Sequence, residues 1–183
     1  DMVRAALTEQ CRPDNGMKSQ RSEDSVDKQA YQLGIKTNSS HSRARILDVD
    51  VEEVKKEIED GVVPVITGFQ GMNELGDITT LGRGGSDTTG VALAVALKAD
   101  ECQIYTDVDG VYSTDANKLK SAKKIKVISY EEMLEMASLG AKVMQPHSIQ
   151  DARLNRVDIE VRSSFTDNEG TLITKRKNII NSK

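Results

Sequence analysis

The sequence predicts an α/β fold in which a mostly parallel sheet carries helices on both faces, giving a three-layer sandwich. Short apolar runs typical of buried strands alternate along the chain with segments that carry helix-start signals. Because a parallel connection must cross back over the sheet, this alternation favours parallel strands joined by helices. The pattern extends over about residues 31–176, which predicts one folded domain.

The first 30 residues are polar and carry few branched apolar side chains, so they predict little regular structure. Within them only residues 2–7 have the composition of a short helix. We therefore divide the chain into a polar segment over 1–30, a domain over 31–176 and a polar tail over 177–183.

The first half of the domain contains two predicted strands and one predicted helix. Residues 46–49 form a short apolar strand, and Asp50 with Glu53 has the spacing of a capping box that starts the next helix. Residues 62–68 form an apolar run typical of a strand buried on both faces. Residues 73–77 are rich in turn formers and predict a hairpin.

The second half continues the same alternation. Its predicted strands share an apolar or alternating pattern and span residues 103–106, 157–161 and 171–174. A buried helix is predicted over 87–98. Ser129 and Glu132 form a second capping-box pattern, and Pro146 suits the first turn of a further helix.

A glycine loop stands immediately before the helix predicted over 87–98. Its glycines let the backbone turn sharply and approach a ligand closely, and Ser86 and Asp87 suit the N-cap of the helix. Free N–H groups at a helix start attract carboxylate or phosphate, and the guanidinium of Arg83 can hold such an oxyanion with two hydrogen bonds. Spacing alone fits equally well a tight turn that only caps a core helix.

A second polar loop, residues 106–112, follows the strand predicted over 103–106. Its carboxylates, Asp107 and Asp109, could serve a nucleotide or its Mg²⁺ at the carboxyl edge of a parallel sheet. On residue types alone a strand-end turn is the better explanation, because Asp and Gly dominate turns for conformational reasons. Lys142, taken alone, is typical of a solvated surface lysine.

Composition argues against several classes of function. The net charge of −4, two Phe, four Tyr and no Trp argue against a nucleic-acid binder, which needs basic and stacking groups. No apolar run approaches the roughly 20 residues of a membrane span. Two distant cysteines suggest neither a disulfide framework nor a metal site, and His41 and His147 lack zinc-ligand spacing. A small polar ligand in a reducing cytoplasm fits best.

Residues 79–87, Thr-Thr-Leu-Gly-Arg-Gly-Gly-Ser-Asp, resemble the substrate loop of aspartokinases, which belong to the amino acid kinase superfamily. Further segments resemble that family in the same order along the chain: residues 68–71, 106–112, 140–143, 161–165 and 170–173. The resemblance covers about residues 31–176 and implies the amino acid kinase fold, also called carbamate kinase-like.

The resemblance also implies a reaction and the residues that serve it. ATP, with Mg²⁺, would donate its γ-phosphoryl group to the β-carboxylate of L-aspartate, the first step of lysine, threonine and methionine biosynthesis. The implied aspartate-binding residues are Phe69, Arg83, Gly84, Gly85, Ser86 and Asp87. The implied ATP-binding residues are Thr106, Asp107, Val111, Tyr112, Asp115 and Lys142. Asp87 and Lys142 would also be catalytic, and the full-length protein would be a homo-oligomer.

The sequence departs from the family pattern at defined points. The family's Lys-Phe-Gly-Gly strand has no counterpart in the 183 residues, nor have the regulatory ACT domains that usually follow the catalytic domain. Asn117 stands where the family has a nucleotide-binding arginine. We therefore expect the nucleotide-side part of a catalytic domain, inactive alone. Two alternatives stay open: a related kinase of N-acetylglutamate or uridylate, and a module that binds nucleotide without catalysis.

Overall fold

The computed structural model describes residues 33–114, 119, 121–141 and 143–175 in full, and the backbone of residues 2–6 and 25–29. The strands are β1 (Met2–Ala6), β2 (Ser25–Gln29), β3 (Ile35–Thr37), β4 (Ile46–Val49), β5 (Val63–Thr67), β6 (Gln70–Met72), β7 (Ile78–Thr80), β8 (Glu101–Thr106), β9 (Val127–Ser129), β10 (Asp158–Ser163) and β11 (Thr171–Thr174). The helices are α1 (Glu52–Glu59), α2 (Gly85–Leu97), α3 (Tyr130–Ser138) and α4 (Pro146–Asn155). These elements confirm the predicted α/β class. None of the helices in this part of the chain has the length and hydropathy needed to cross a bilayer.

The largest sheet has five strands in the order β1, β8, β10, β11, β9. Two pairs are parallel, β8 with β10 and β9 with β11, whereas β1 and β11 run antiparallel to β8 and β10. The sheet is therefore mixed rather than mostly parallel. The physical reason is the short connection over residues 164–170, which turns β10 directly into β11 without the crossover that a parallel pair needs.

The edge of this sheet is formed by β1, where the sequence predicted a helix over residues 2–7. That prediction is wrong, because residues 2–6 lie extended beside β8 from Met2 opposite Tyr105 to Ala6 opposite Glu101. An unpaired strand edge presents N–H and C=O groups that an extended neighbour can satisfy, and this outweighs a weak local helix preference.

The core lies between one face of the five-stranded sheet and the helices α2, α3 and α4. Alternate strand residues point into it and are fully buried: Cys102, Ile104, Ile159, Val161 and Ile173. Val91, Met133 and Ile149 of the helices pack against them. On the opposite face the half-buried Gln103 donates to Glu160 at 3.2 Å. Helices α2, α3 and α4 therefore pack on the apolar face of this sheet, whereas the outward positions of β8 and β10 carry polar side chains.

Two smaller sheets contain the remaining strands. One is the parallel pair of β2 and β5, and the other has the order β4, β3, β6, β7. The predicted hairpin is confirmed as β6 and β7, and Asn73 Oδ1 holds its turn by accepting from Leu75 N at 3.0 Å and Asp77 N at 2.8 Å. The prediction of burial on both faces of β5 is wrong: Val63 is 49% exposed and Val65 45%. Among the described elements, α1 packs against β5.

The first residues of three helices can be compared with the predicted caps. In α3 the predicted capping box is confirmed, since Ser129 Oγ accepts from Glu132 N at 3.2 Å and Glu132 Oε2 accepts from Ser129 N at 3.0 Å. Pro146 is the first residue of α4, as predicted. The capping box predicted for α1 is wrong, because Val51 is its N-cap and makes no side-chain cap bond. The Asp50 carboxylate instead accepts from Glu52 N at 3.1 Å.

Helix α2 begins earlier than predicted. Gly84 is its N-cap in the left-handed conformation, with φ +69, and Gly85 is its first residue. Ser86 and Asp87 therefore lie inside the first helical turn instead of capping it. A left-handed N-cap suits glycine, which pays no Cβ penalty there.

Candidate functional site

The glycine loop and the start of α2 pack against the turn that follows β5. Phe69 has a left-handed φ of +74, and its backbone N donates to Thr89 Oγ1 at 3.0 Å. A Cβ atom on residue 85 would lie 2.7 Å from the ring carbon Cδ2 of Phe69. Glycine at position 85 therefore allows the aromatic ring to lie directly over the first turn of α2. The predicted substrate residues Phe69, Gly84, Gly85, Ser86 and Asp87 are thus brought to one place.

Asp87 is a buried carboxyl group, only 5% exposed, in the first turn of α2. Burial raises its pKa to about 6, because the charged form loses hydration. Among the side chains described in full, no lysine, arginine or histidine forms an ion pair with it. Arg83, four residues earlier, is exposed. A buried acid and an exposed guanidinium on either side of two glycines suit a small ligand that carries both an ammonium and a carboxylate group.

Thr88 joins this loop to α4. Its Oγ1 donates to Gly84 O at 3.0 Å, and it lies 2.7 Å from His147 Nε2 and 3.1 Å from Ser148 Oγ. This contact could not be predicted from the sequence, because His147 and Ser148 stand about 60 positions from Thr88 and belong to no recognisable motif. His147, for which the sequence indicated only that a zinc site is not expected, therefore contacts the loop through Thr88.

A groove with a volume of about 1480 Å³ runs along the outer surface of α2. It is lined by Arg43, Arg83, Thr88 and His147 among others, but not by Asp87 or Phe69. The predicted site therefore lies only partly within this groove.

Most of the predicted ATP-binding residues lie at the end of β8 and on the loop that follows it. Thr106 Oγ1 donates to Asp107 Oδ1 at 3.1 Å, and Ser164 N donates to Thr106 O at 2.8 Å, so the ends of β8 and β10 are adjacent. Val111 is buried, and its N–H donates to Thr171 Oγ1 at 2.8 Å. The loop is therefore fixed to β11 at the edge where parallel strands end, as predicted from the sequence.

Asp109 and Tyr112 form a pair within this loop. The phenol of Tyr112 donates to Asp109 Oδ1 at 2.7 Å, and Lys124 Nζ lies 3.3 Å from Asp109 Oδ2. The hydrogen bond from Tyr112, reinforced by Lys124, lowers the pKa of Asp109, and the same hydrogen bond raises the pKa of Tyr112. Asp107 is exposed, so of the two carboxylates it is the one that remains open to a ligand.

Two predicted site residues, Asp115 and Lys142, lie outside the described residues. The sequence interpretation also missed Lys124 and Thr171, which the fold brings to the loop from distant positions. Lys124 belongs to none of the segments that resemble the family, and the segment over residues 170–173 does not indicate that Thr171 contacts this loop, so only the fold could have identified these contacts.

Residues 5–163 match the model of the amino acid kinase family. The chain belongs to this family. Its fold accordingly agrees with the amino acid kinase fold implied by the substrate-loop string.

Relatives of the chain at high sequence identity include aspartate kinases. The chain is 57% identical over 143 residues to the aspartate kinase of Pseudomonas putida, a match that covers 78% of the chain and 35% of the relative. It is 51% identical over 156 residues to aspartokinase 2 of Bacillus subtilis, covering 85% of the chain and 38% of the relative. The chain therefore spans little more than a third of the length of these relatives.

A solved structure gives the same result for the fold. The crystal structure of Escherichia coli aspartokinase III in complex with aspartate and ADP matches with a TM-score of 0.76 and 34% identity. The match covers 84% of this chain and 36% of that one.

Proposed function

We propose that this chain is part of an aspartate kinase, which transfers the γ-phosphoryl group of ATP to the β-carboxylate of L-aspartate and yields 4-aspartyl phosphate and ADP. The observation that carries the proposal is the buried Asp87 carboxylate in the first turn of α2, four residues after exposed Arg83 of the glycine loop. This pair matches the ammonium and carboxylate groups of an amino acid. The high identity to aspartate kinases supports the same choice.

On the substrate side, Asp87 receives the ammonium group and Arg83 receives a carboxylate by a bidentate contact. Gly84 and Gly85 let the backbone approach the ligand, Phe69 forms a wall of the pocket, and Ser86 lies beside the reacting carboxylate. Burial of Asp87 favours this arrangement. A buried carboxylate without a counter-ion is stabilised more by an ammonium partner than an exposed carboxylate would be.

On the nucleotide side, Thr106, Asp107, Val111 and Tyr112 border ATP, together with Asp115. Mg²⁺, when bound, neutralises phosphate charge, and Asp107 is the open carboxylate that suits it. Lys142 would add a second positive charge on the phosphates. Phosphoryl transfer depends mainly on alignment and on such charges, and it needs no protein nucleophile.

The proposal extends to the organisation of the protein. We propose that residues 31–176 form the body of the catalytic domain, and β1 adds residues 2–6 to its five-stranded sheet. We also propose that the full-length protein is a homo-oligomer, as the family resemblance implies.

Calorimetric titrations of the chain with L-aspartate, N-acetylglutamate, UMP and ADP·Mg²⁺ test the proposal. We expect binding of aspartate and of the nucleotide, and no binding of N-acetylglutamate or UMP. Preference for either of the latter would contradict the proposal in favour of a related kinase. Nucleotide binding without aspartate binding would indicate a module without catalysis.

Trapping of the acyl phosphate with hydroxylamine tests the reaction itself in the full-length protein. We expect ATP-dependent hydroxamate there, a strong loss of kcat in Lys142→Ala, and no detectable product from the 183-residue chain alone. A wild-type rate in Lys142→Ala would remove that residue from the catalytic set.

A further inference from the structure

We propose that Lys124 is a positioning residue for nucleotide binding: through Asp109 it fixes the orientation of Tyr112 and cancels a negative charge where the phosphates would bind. This inference rests on the proposed nucleotide role of the loop over residues 106–112. The sequence assigned no part of that role to Lys124, which precedes β9 and lies in the lysine-rich stretch over residues 118–126.

The carboxylate of Asp109 is bound from two sides. Its two carboxylate oxygens are bound by different parts of the chain: Oδ1 accepts from Tyr112 at 2.7 Å and Oδ2 from Lys124 Nζ at 3.3 Å. Lys124 Nζ also donates to the backbone carbonyl of Glu169 at 2.7 Å. Lys124 therefore connects the loop after β8 to the segment before β11, and the position of the Tyr112 phenol depends on that connection.

The backbone holds Lys124 opposite the loop. Tyr112 and Lys124 form an antiparallel bridge, Ser113 N donates to Lys123 O at 2.9 Å, and Ile125 N donates to Val111 O at 2.8 Å. These bonds fix the Cα atom of Lys124, so its side chain needs little additional ordering to reach Asp109. A preorganised ion pair loses less side-chain entropy than a pair of free surface residues.

The stem of Lys124 also covers Gly110. This glycine has a φ of +145, and a Cβ atom on it would lie 3.1 Å from Lys124 Cδ and 2.6 Å from Thr171 Oγ1. The loop therefore passes tightly between Lys124 and β11. The side chain of Lys124 acts on loop geometry through this packing as well as through its charge.

Lys124 also balances the negative charge of Asp109 in the loop. A nucleotide polyphosphate is strongly negative, and an unpaired carboxylate in the loop that receives it would repel it. Lys124 and Asp109 are both about three-quarters buried, with 26% and 31% of their side chains exposed, so solvent screens this pair less than a surface pair. Removing Lys124 would leave Asp109 facing the phosphates without a counter-charge.

Calorimetric titration of the 183-residue chain with ADP·Mg²⁺ at low salt tests this inference. Lys124→Met keeps most of the stem and removes the charge, and we expect it to weaken ADP by about tenfold while leaving aspartate affinity unchanged. Lys124→Arg should stay close to wild type. In the double variant Lys124→Met with Asp109→Asn, loss of the repelling carboxylate should restore part of the affinity.

Tyr112→Phe is the second variant, because it keeps the ring and the ion pair and removes only the phenol hydrogen bond. We expect a smaller loss of ADP affinity and an intact fold. Hydrogen–deuterium exchange of the peptide over residues 107–114, measured without nucleotide, should quicken in Lys124→Met and not in Lys124→Arg.

The outcomes separate the two proposals. If wild type binds aspartate but no nucleotide, the proposed nucleotide role fails and the role of Lys124 fails with it. If wild type binds ADP and Lys124→Met binds it equally well, only the inference about Lys124 is overturned. Equal loss of aspartate and ADP affinity would also overturn it, since that result indicates a general structural role.

Discussion

Gly84 and Gln145, the N-cap residues of α2 and α4, are packed against each other so closely that a Cβ atom on residue 84 would overlap Gln145 Cγ. Gly84 also has a left-handed φ of +69. Backbone strain alone at such a φ costs about 1–3 kcal/mol. We expect Gly84→Ala to lower the free energy of unfolding by more than this, because Gln145 must also move. Urea denaturation measures the change.

Gly76→Ala is the matched control for this variant. Gly76 has a similar φ of +83, and no atom lies within 4 Å of the added Cβ, so this substitution introduces strain alone. The difference between the two variants isolates the contact with Gln145. If both variants lost the same free energy of unfolding, Gln145 could move away from the added Cβ atom without any loss of stability.

Arg83→Ala tests the carboxylate contact of the proposed substrate site. Arg83 is exposed, so its loss should change stability little, yet we expect aspartate affinity to fall by about tenfold or more because a charge-assisted contact is lost. ADP affinity should stay unchanged. Arg153→Ala on α4, which removes the contact with Glu131 at 3.0 Å, is the control for a surface charge. Weaker ADP binding with unchanged aspartate binding would contradict the assignment of Arg83.

Asp87 makes both stability and binding depend on pH. Its pKa in the folded protein is about 6, above the ordinary value of 3.8, so the protonated form favours folding. That contribution is fully present below pH 3.8 and is lost as the pH rises through 6. We expect Asp87→Asn to raise the free energy of unfolding at pH 7.5 by about 1–3 kcal/mol and to leave it nearly unchanged at pH 4.

The same carboxylate should give aspartate binding the opposite trend. Only ionised Asp87 attracts an ammonium group, so aspartate affinity should increase as the pH rises through about 6. Calorimetry at pH 5 and pH 7.5, with Asp87→Asn as the control that loses this dependence, measures the effect. A wild-type affinity that is flat over this range would exclude Asp87 as the ammonium partner.

Local signals in the sequence predicted local features correctly. The capping box of Ser129 and Glu132 and the position of Pro146 depend on a few adjacent residues, and both are confirmed. The start of α2 was placed too late, because the left-handed Gly84 is held by a contact with Gln145, 61 positions away, that no local rule contains. Burial of β5 was overestimated for a similar reason, since exposure depends on which element covers each face.

In the candidate site, too, residues of a local motif were predicted and contacts between distant segments were not. The string over residues 79–87 led directly to Arg83 and Asp87, because a resemblance transfers a whole motif at once. The contacts of Lys124 and Thr171 with the loop after β8 could not be predicted, because they depend on how segments distant in the sequence pack together. Side chains that support a site from distant segments are the part that only the fold reveals.

Thr171→Val tests whether the loop after β8 depends on one buried hydroxyl. Thr171 is fully buried, and its Oγ1 accepts from Val111 N at 2.8 Å and donates to Ile125 O at 2.6 Å. Valine has the same shape but leaves both backbone groups without a partner, so we expect a loss of about 2–4 kcal/mol in the free energy of unfolding. Thr171→Ser keeps the hydroxyl and removes only a methyl group, so it should lose about 1 kcal/mol and retain ADP affinity. If valine were tolerated as well as serine, the hydroxyl would not be what holds the loop to β11, and the loop would have to be fixed by Lys124 and the bridge at Tyr112 alone.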